Sequence, residues 1–244
     1  MLYYSPLEIL PMPVPQNYAF HNIWFEAFCI AVASILLYKQ FSVFHEDKVQ
    51  RTFTKILFIQ IAYFASFIVR VLIDVAVLPK TQISVYAINI INFGLFATCS
   101  WFVFSYLELY QNAKGFSAAK TRALYAIPYL CNVAILLSSP WTHAYFGVDE
   151  NAAVFSGSLW KLMVTINCSY PLAAILLSLF ARFVRHENAD SGDFKLSVVF
   201  PLFFSVFGPV SALQWRIPIL PTGLMLADLF VYIHYTDILT RERN

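Results

Sequence analysis

Charge is scarce in this chain. Of 244 residues, 12% are Asp, Glu, Lys or Arg, where an ordinary globular domain carries about 25%. With 59% hydrophobic residues and a mean hydropathy of +0.65, that scarcity excludes a soluble domain. The net charge of +2 gives no sign of a nucleic-acid partner. The four cysteines (Cys29, Cys99, Cys131, Cys168) all lie within apolar runs, so none staples an outer loop and none has zinc-ligand spacing. They read as small packing residues, and no metal or other cofactor is expected.

Further absences narrow the class. Period-2 alternation is missing, which excludes barrel strands. Residues 217–236 contain no lysine, which excludes retinal bound as in rhodopsins. The third and seventh runs carry "LELYQN" and "LADLFVYIHY", not the acidic-Arg-Tyr and Asn-Pro-x-x-Tyr motifs of animal G-protein-coupled receptors. No internal repeat is evident, no Gly-interrupted helices pair up, and no catalytic motif falls within a run. The segment is therefore expected to be non-enzymatic. Residues 1–19 have neither a basic n-region nor a long apolar core, so they are not a cleaved signal peptide. Pro11, Pro13 and Pro15 predict an extended outer arm.

Long apolar runs are what the sequence does have. Seven are visible, at about 20–41, 53–78, 83–109, 123–139, 157–181, 195–213 and 217–236, each long enough to cross the hydrocarbon core as a helix. The expected fold is an all-α membrane protein, a seven-helix bundle over residues 20–236. Residues 237–244 form a polar stub.

Twelve basic residues flank the first, third and fifth connections and the end of the chain, from Lys39 and Lys48 to Arg241 and Arg243. Only Lys80, Lys161 and Arg216 lie on the alternate side. Positive charge marks the cytoplasmic face, which predicts an outer amino terminus and a cytoplasmic carboxyl terminus. Tyr232, Tyr235 and Leu239, at i, i+3 and i+7, would let two copies pair through the helix-seven extension.

A charge at membrane depth costs about 2.5–3.5 kcal/mol on insertion scales, so each asks for a partner or a purpose. Arg70 and Asp74 in "RVLID" stand one helical turn apart and can pair, either as a structural bond or as half of a ligand site. Asp228 sits alone near the middle of the seventh run and is an intramembrane switch candidate together with Asn167. Glu26 and Lys161 are placed near outer helix ends, where they can snorkel, and Glu108 is taken as a solvated end residue. Asn89, Asn92, Asn132 and Asn167 are expected to bond between helices. Pro171, Pro201 and Pro209 are expected to kink theirs. The 24 phenylalanines read mostly as lipid-facing bulk and interface belts. An outer pocket would draw on Arg70, Asp74, Asn89, Trp141, His143, Lys161, Gln214 and Arg216, and its cations favour an anionic ligand.

Two stretches carry a family resemblance. "SSPWTHAYFGVDENAAVFSGSLWKLMVTINCSYP" (Ser138 to Pro171) has a Ser-Pro start, an aromatic-Phe-x-x-Asp-x-x-Asn middle and a Gly before the next helix. "ALQWRIPILPTGLMLADLFVYIHYTDIL" (Ala212 to Leu239) has a Gln-containing outer hairpin and a last helix running on into a polar end. Both resemble bacterial seven-helix sensor modules that precede GGDEF diguanylate cyclase domains. The resemblance implies a receptor in the bacterial cytoplasmic membrane that relays a stimulus through helix seven to a cytoplasmic output. "DILTRERN" departs from that family's Asp-x-Leu-Thr-Gly opening at Arg241, and no cyclase or histidine-kinase motif is present. A transporter of a small molecule, ion or proton, using Asp228 and the Arg70–Asp74 pair as a relay, is the alternative.

Overall fold

In the computed structural model, residues 16–43, 48–111, 119–184, 191–213 and 219–243 are described. Residues 1–15 of the expected amino-terminal arm, and Gln214 and Arg216 of the expected pocket, lie outside them, while residues 16–19 of that arm already belong to the first helix. Among the described residues there are seven helices: α1 (Gln16–Val43), α2 (Lys48–Asp74), α3 (Gln82–Gln111), α4 (Ala119–Thr142), α5 (Trp160–Val184), α6 (Ser191–Leu213) and α7 (Ile219–Arg243). Each takes up one of the seven apolar runs. Four contain segments long and apolar enough to cross a membrane: Ala19–Phe41, Lys48–Asp74, Gln82–Tyr110 and Trp160–Phe180. Helices α6 and α7 contribute shorter apolar segments, Leu196–Phe207 and Leu220–His234. The chain is thus a mostly helical membrane protein.

Packing follows a ring. Helix α1 lies against α2 and α7, α2 against α3, α3 against α5, α5 against α6 and α6 against α7, while α4 rests outside on α3 and α5. Helix α3 also meets α6 and so runs through the middle. Lipid tails are as apolar as Leu, so the helices hold one another by close packing and interhelical hydrogen bonds. Aromatic rings do much of that packing: Phe53 lies 5.8 Å from Tyr106, which lies 5.7 Å from Phe200. Phe64, Phe104 and Phe204 are buried with them. This corrects the expectation that the phenylalanines mostly face lipid. Many fill the core, while Phe20, Phe28 and Phe41 on α1 stay exposed. Gly223 brings α7 close to α6, since a Cβ there would meet the Phe207 ring at 2.6 Å.

Helix ends are set by local chemistry. Thr81 and Ser84 bond each other's backbone N–H groups with their hydroxyls, 2.9 and 3.1 Å, a reciprocal cap that starts α3. Helix α2 stops at a Schellman turn: Val77 N–H donates to Leu72 C=O and Ala76 N–H to Ile73 C=O, with Ala76 at φ 59°, a place usually held by Gly. Helix α4 ends likewise at His143 (φ 51°), whose N–H donates to Ser139 C=O. The apolar run at 53–78 therefore overshoots its helix, and the one beginning near 157 starts three residues early.

The link from α4 to α5 adds an element that an all-α fold lacks. Strands β1 (Phe146–Val148) and β2 (Val154–Ser156) pair antiparallel with Gly147 opposite Phe155. Tyr145, Phe146, Val148 and Ala152 pack with Ile73, Val85, Phe93, Leu136 and Met163 in a second apolar cluster. The hairpin thus roofs the ends of α2 to α5.

Candidate functional site

Most of α1's inner face is small or polar. Ala19, Asn22, Glu26, Cys29, Ala33, Leu36 and Gln40 are buried, spaced alternately three and four residues apart, as on one side of a helix. Phe20, Trp24, Phe28, Ile35, Tyr38 and Phe41 are exposed on the other side. In water such a helix would be inside out. In lipid it places Asn22, Glu26 and Gln40 where other helices can answer them.

Glu26 is answered poorly. It is 0% exposed, and neither carboxyl oxygen has a hydrogen-bond partner among the described residues. This overturns its placement as a snorkelling end residue. It stands eleventh in a 28-residue helix, with α2 and α7 packed against that helix. Its electrostatic neighbours are Cys29 one turn along α1 and Tyr63 on α2.

Deeper in the bundle, Gln60 on α2 donates from Nε2 to Oδ1 of Asp228 on α7 at 3.3 Å. Both are buried, 0% and 1% exposed. Asp228 lies within electrostatic reach of Cys29 and of Cys99 on α3, and the Gln60 side chain faces Cys99. Gln60 Oε1 has no partner among the described residues. Toward the hairpin, Tyr63 feels Arg70, and Arg70 feels Asp74. The Arg70 guanidinium also lies over the Phe93 ring, 5.9 Å from its centre. A column of polar groups therefore runs from Asp74 at the roofed end down to Asp228, between α1, α2, α3 and α7.

A second network ties the hairpin down. Tyr145 donates its hydroxyl to Asn132 Oδ1 at 2.7 Å, and Asn132 Nδ2 donates to Asn167 Oδ1 at 2.8 Å. Asn167 Nδ2 has no partner among the described residues. Tyr86 on α3 accepts the Val148 N–H at 3.0 Å and meets His143 Nδ1 at 3.1 Å. Gln82 Nε2 donates to Asp149 C=O at 2.8 Å. Burial of Tyr145 pushes its phenol up, with the Cys131 thiol adding to the effect.

The expected pocket residues are only partly brought together. Arg70 and Asp74 are electrostatic neighbours, as one turn of helix requires, and Asp74 is exposed. Asn89 is buried, donates to Val85 C=O of its own helix and leaves its Oδ1 without a partner among the described residues. Trp141 is 81% exposed, and His143 and Lys161 are exposed. Asn92 bonds Ser66 across α2 and α3 at 3.0 Å, and Asn132 and Asn167 bond across α4 and α5, as interhelical amides do. Glu108 is buried, 7% exposed, which corrects its reading as a solvated end residue, because central helix α3 carries it among neighbours. Gln60 escapes the sequence reading, and Glu26 is misplaced by it. The alternation of small and bulky residues along α1 is the signal that would have found Glu26.

Among the described residues no group of three or more His, Cys, Asp or Glu side chains is arranged to hold a metal ion. Compared with known proteins, the chain matches no family model, no curated protein and no solved structure.

Proposed function

We propose that the chain is the membrane part of a receptor: seven spans, outer amino terminus, cytoplasmic carboxyl terminus, seated in a bacterial cytoplasmic membrane. The Asp228–Gln60 bond carries this reading. It fastens the last helix to α2 at Asp228, an acid that α7 buries. Helix α7 then continues unbroken from Ile219 to Arg243, so a shift at Asp228 travels along one rod to a basic end. The excess of Lys and Arg around the first, third and fifth connections supports that orientation. The hairpin between α4 and α5, resting on α2 and α3, supports an outer roof through which a stimulus, an anionic small molecule in this proposal, reaches the column at Arg70. The likeness to modules that precede GGDEF domains supports a diguanylate cyclase as output, with no catalytic residue in the spans and pairing of two copies along the α7 extension.

Coupling requires a ligand with different affinities for two states, and the test measures that. The chain is joined through α7 to a diguanylate cyclase reporter in membranes, and cyclic-di-GMP is followed while small anions and pH are varied. A stimulus-dependent change that Gln60→Leu abolishes, with protein level and folding intact, is the expected result. A flat response, with ion or solute flux through liposomes carrying the chain, favours the transporter reading. The unpartnered Glu26 carboxyl is the observation on that side.

A further inference from the structure

The layer around Glu26 and Asp228 is rich in acceptors and poor in donors. Two carboxyls and one amide place five side-chain oxygens there, and both oxygens of Glu26 and Oε1 of Gln60 are without partners among the described residues. The Gln60 amide nitrogen is engaged by Asp228. The other titratable groups facing this layer are Cys29 on α1, Tyr63 on α2 and Cys99 on α3. The nearest cation, Arg70, acts on Tyr63 and Asp74 and lies over Phe93. An ionised carboxylate without a partner is too costly at membrane depth to persist bare, so it takes up a proton or another cation. An oxygen set suits hard ions and not thiophilic ones. Cys29 lies within electrostatic reach of both carboxyls.

We propose that Glu26 binds a monovalent cation, a proton or a sodium ion, on a track of buried oxygens that continues through Gln60 to Asp228. When a proton is the cation, it adds to one Glu26 oxygen and leaves a neutral carboxyl. When sodium is, the carboxylate keeps its charge and holds the ion directly. The site stands whether the bundle signals or transports.

The test uses the whole chain in nanodiscs and a hydrophobic carbodiimide, which modifies protonated carboxyls in lipid; mass spectrometry locates the adduct. Glu26 is expected to be modified. Protection by sodium against choline, at fixed pH and ionic strength, assigns sodium. Insensitivity to sodium with a loss of about tenfold per pH unit above the midpoint assigns the proton. Absence of modification at any pH, or modification indifferent to both variables, overturns the proposal. Glu26→Gln gives a second readout: it removes the sodium or pH dependence of thermal unfolding, whereas Glu150→Gln, in the exposed hairpin loop, leaves it. Dependence that survives Glu26→Gln overturns the proposal equally. If that variant does not fold, the wild-type labelling decides.

Discussion

Gln60 and Asp228 lie 168 residues apart in sequence and share one buried hydrogen bond of 3.3 Å. It is a polar contact that joins α2 to the last helix, and each partner is costly to bury alone. Truncating one side leaves the other unsatisfied, at about 1–3 kcal/mol. Gln60→Leu and Asp228→Leu should therefore each lower stability in that direction, and the double variant should lose less than their sum. Unfolding of all three in nanodiscs measures the coupling. Strict additivity would mean that the bond contributes nothing.

Much of the bundle is legible in the sequence because lipid imposes long apolar runs, and each of the seven became a helix. Arg70 and Asp74 were legible too, since four residues on a helix set their distance without tertiary context. Gln60 was not. A neutral amide in "LFIQIAYF" gives no sign that its partner lies five helices away. Glu26 is legible only in its position along the run, because its burial depends on α2 and α7 packing against α1. The hairpin roof escaped because three-residue strands are too short for any alternation to declare them.

Ala76 holds a left-handed conformation (φ 59°) at the Schellman turn closing α2. A Cβ in that region costs about 1–2 kcal/mol that Gly avoids, and the residue is exposed. Ala76→Gly is expected to raise stability by up to about 1 kcal/mol, the gain trimmed by the extra freedom of an unfolded glycine. A thermal midpoint that falls would show that the turn is not strained.

Gly157 and Gly94 should respond oppositely to the same change. A Cβ on Gly157 would land on the carbonyl oxygens of His143 and Ala144. Those are backbone atoms fixed by the Gly157 N–H to Tyr145 C=O and Leu159 N–H to Ala144 C=O bonds. A Cβ on Gly94 would meet only the Leu136 side chain, at an ordinary 3.7 Å. Gly157→Ala is expected to cost about 1–3 kcal/mol or more and to expose the hairpin to proteolysis. Gly94→Ala should be neutral or slightly favourable, as Ala is the better helix former. Limited proteolysis of the two variants side by side separates them, and equal resistance would refute the close approach at Gly157.

Tyr145 offers a pH signature. It lies outside the helices, is buried under the hairpin, and its hydroxyl donates to Asn132. Burial, seconded by Cys131, raises its phenol above the ordinary value of 10.0. A raised value in the folded state means that the stabilisation is fully present below the unfolded phenol's range. It is lost as pH climbs through the folded one, because ionisation puts a charge in an apolar cluster and removes the donated hydrogen. Hairpin protection, followed by hydrogen exchange at Val148 and Gly157, should therefore hold through neutral pH and fall in the alkaline range above about 10. Tyr145→Phe should cost about 1 kcal/mol at neutral pH through the lost bond to Asn132 and should flatten the alkaline fall. A fall that persists unchanged in the Phe variant would place the responsible group elsewhere.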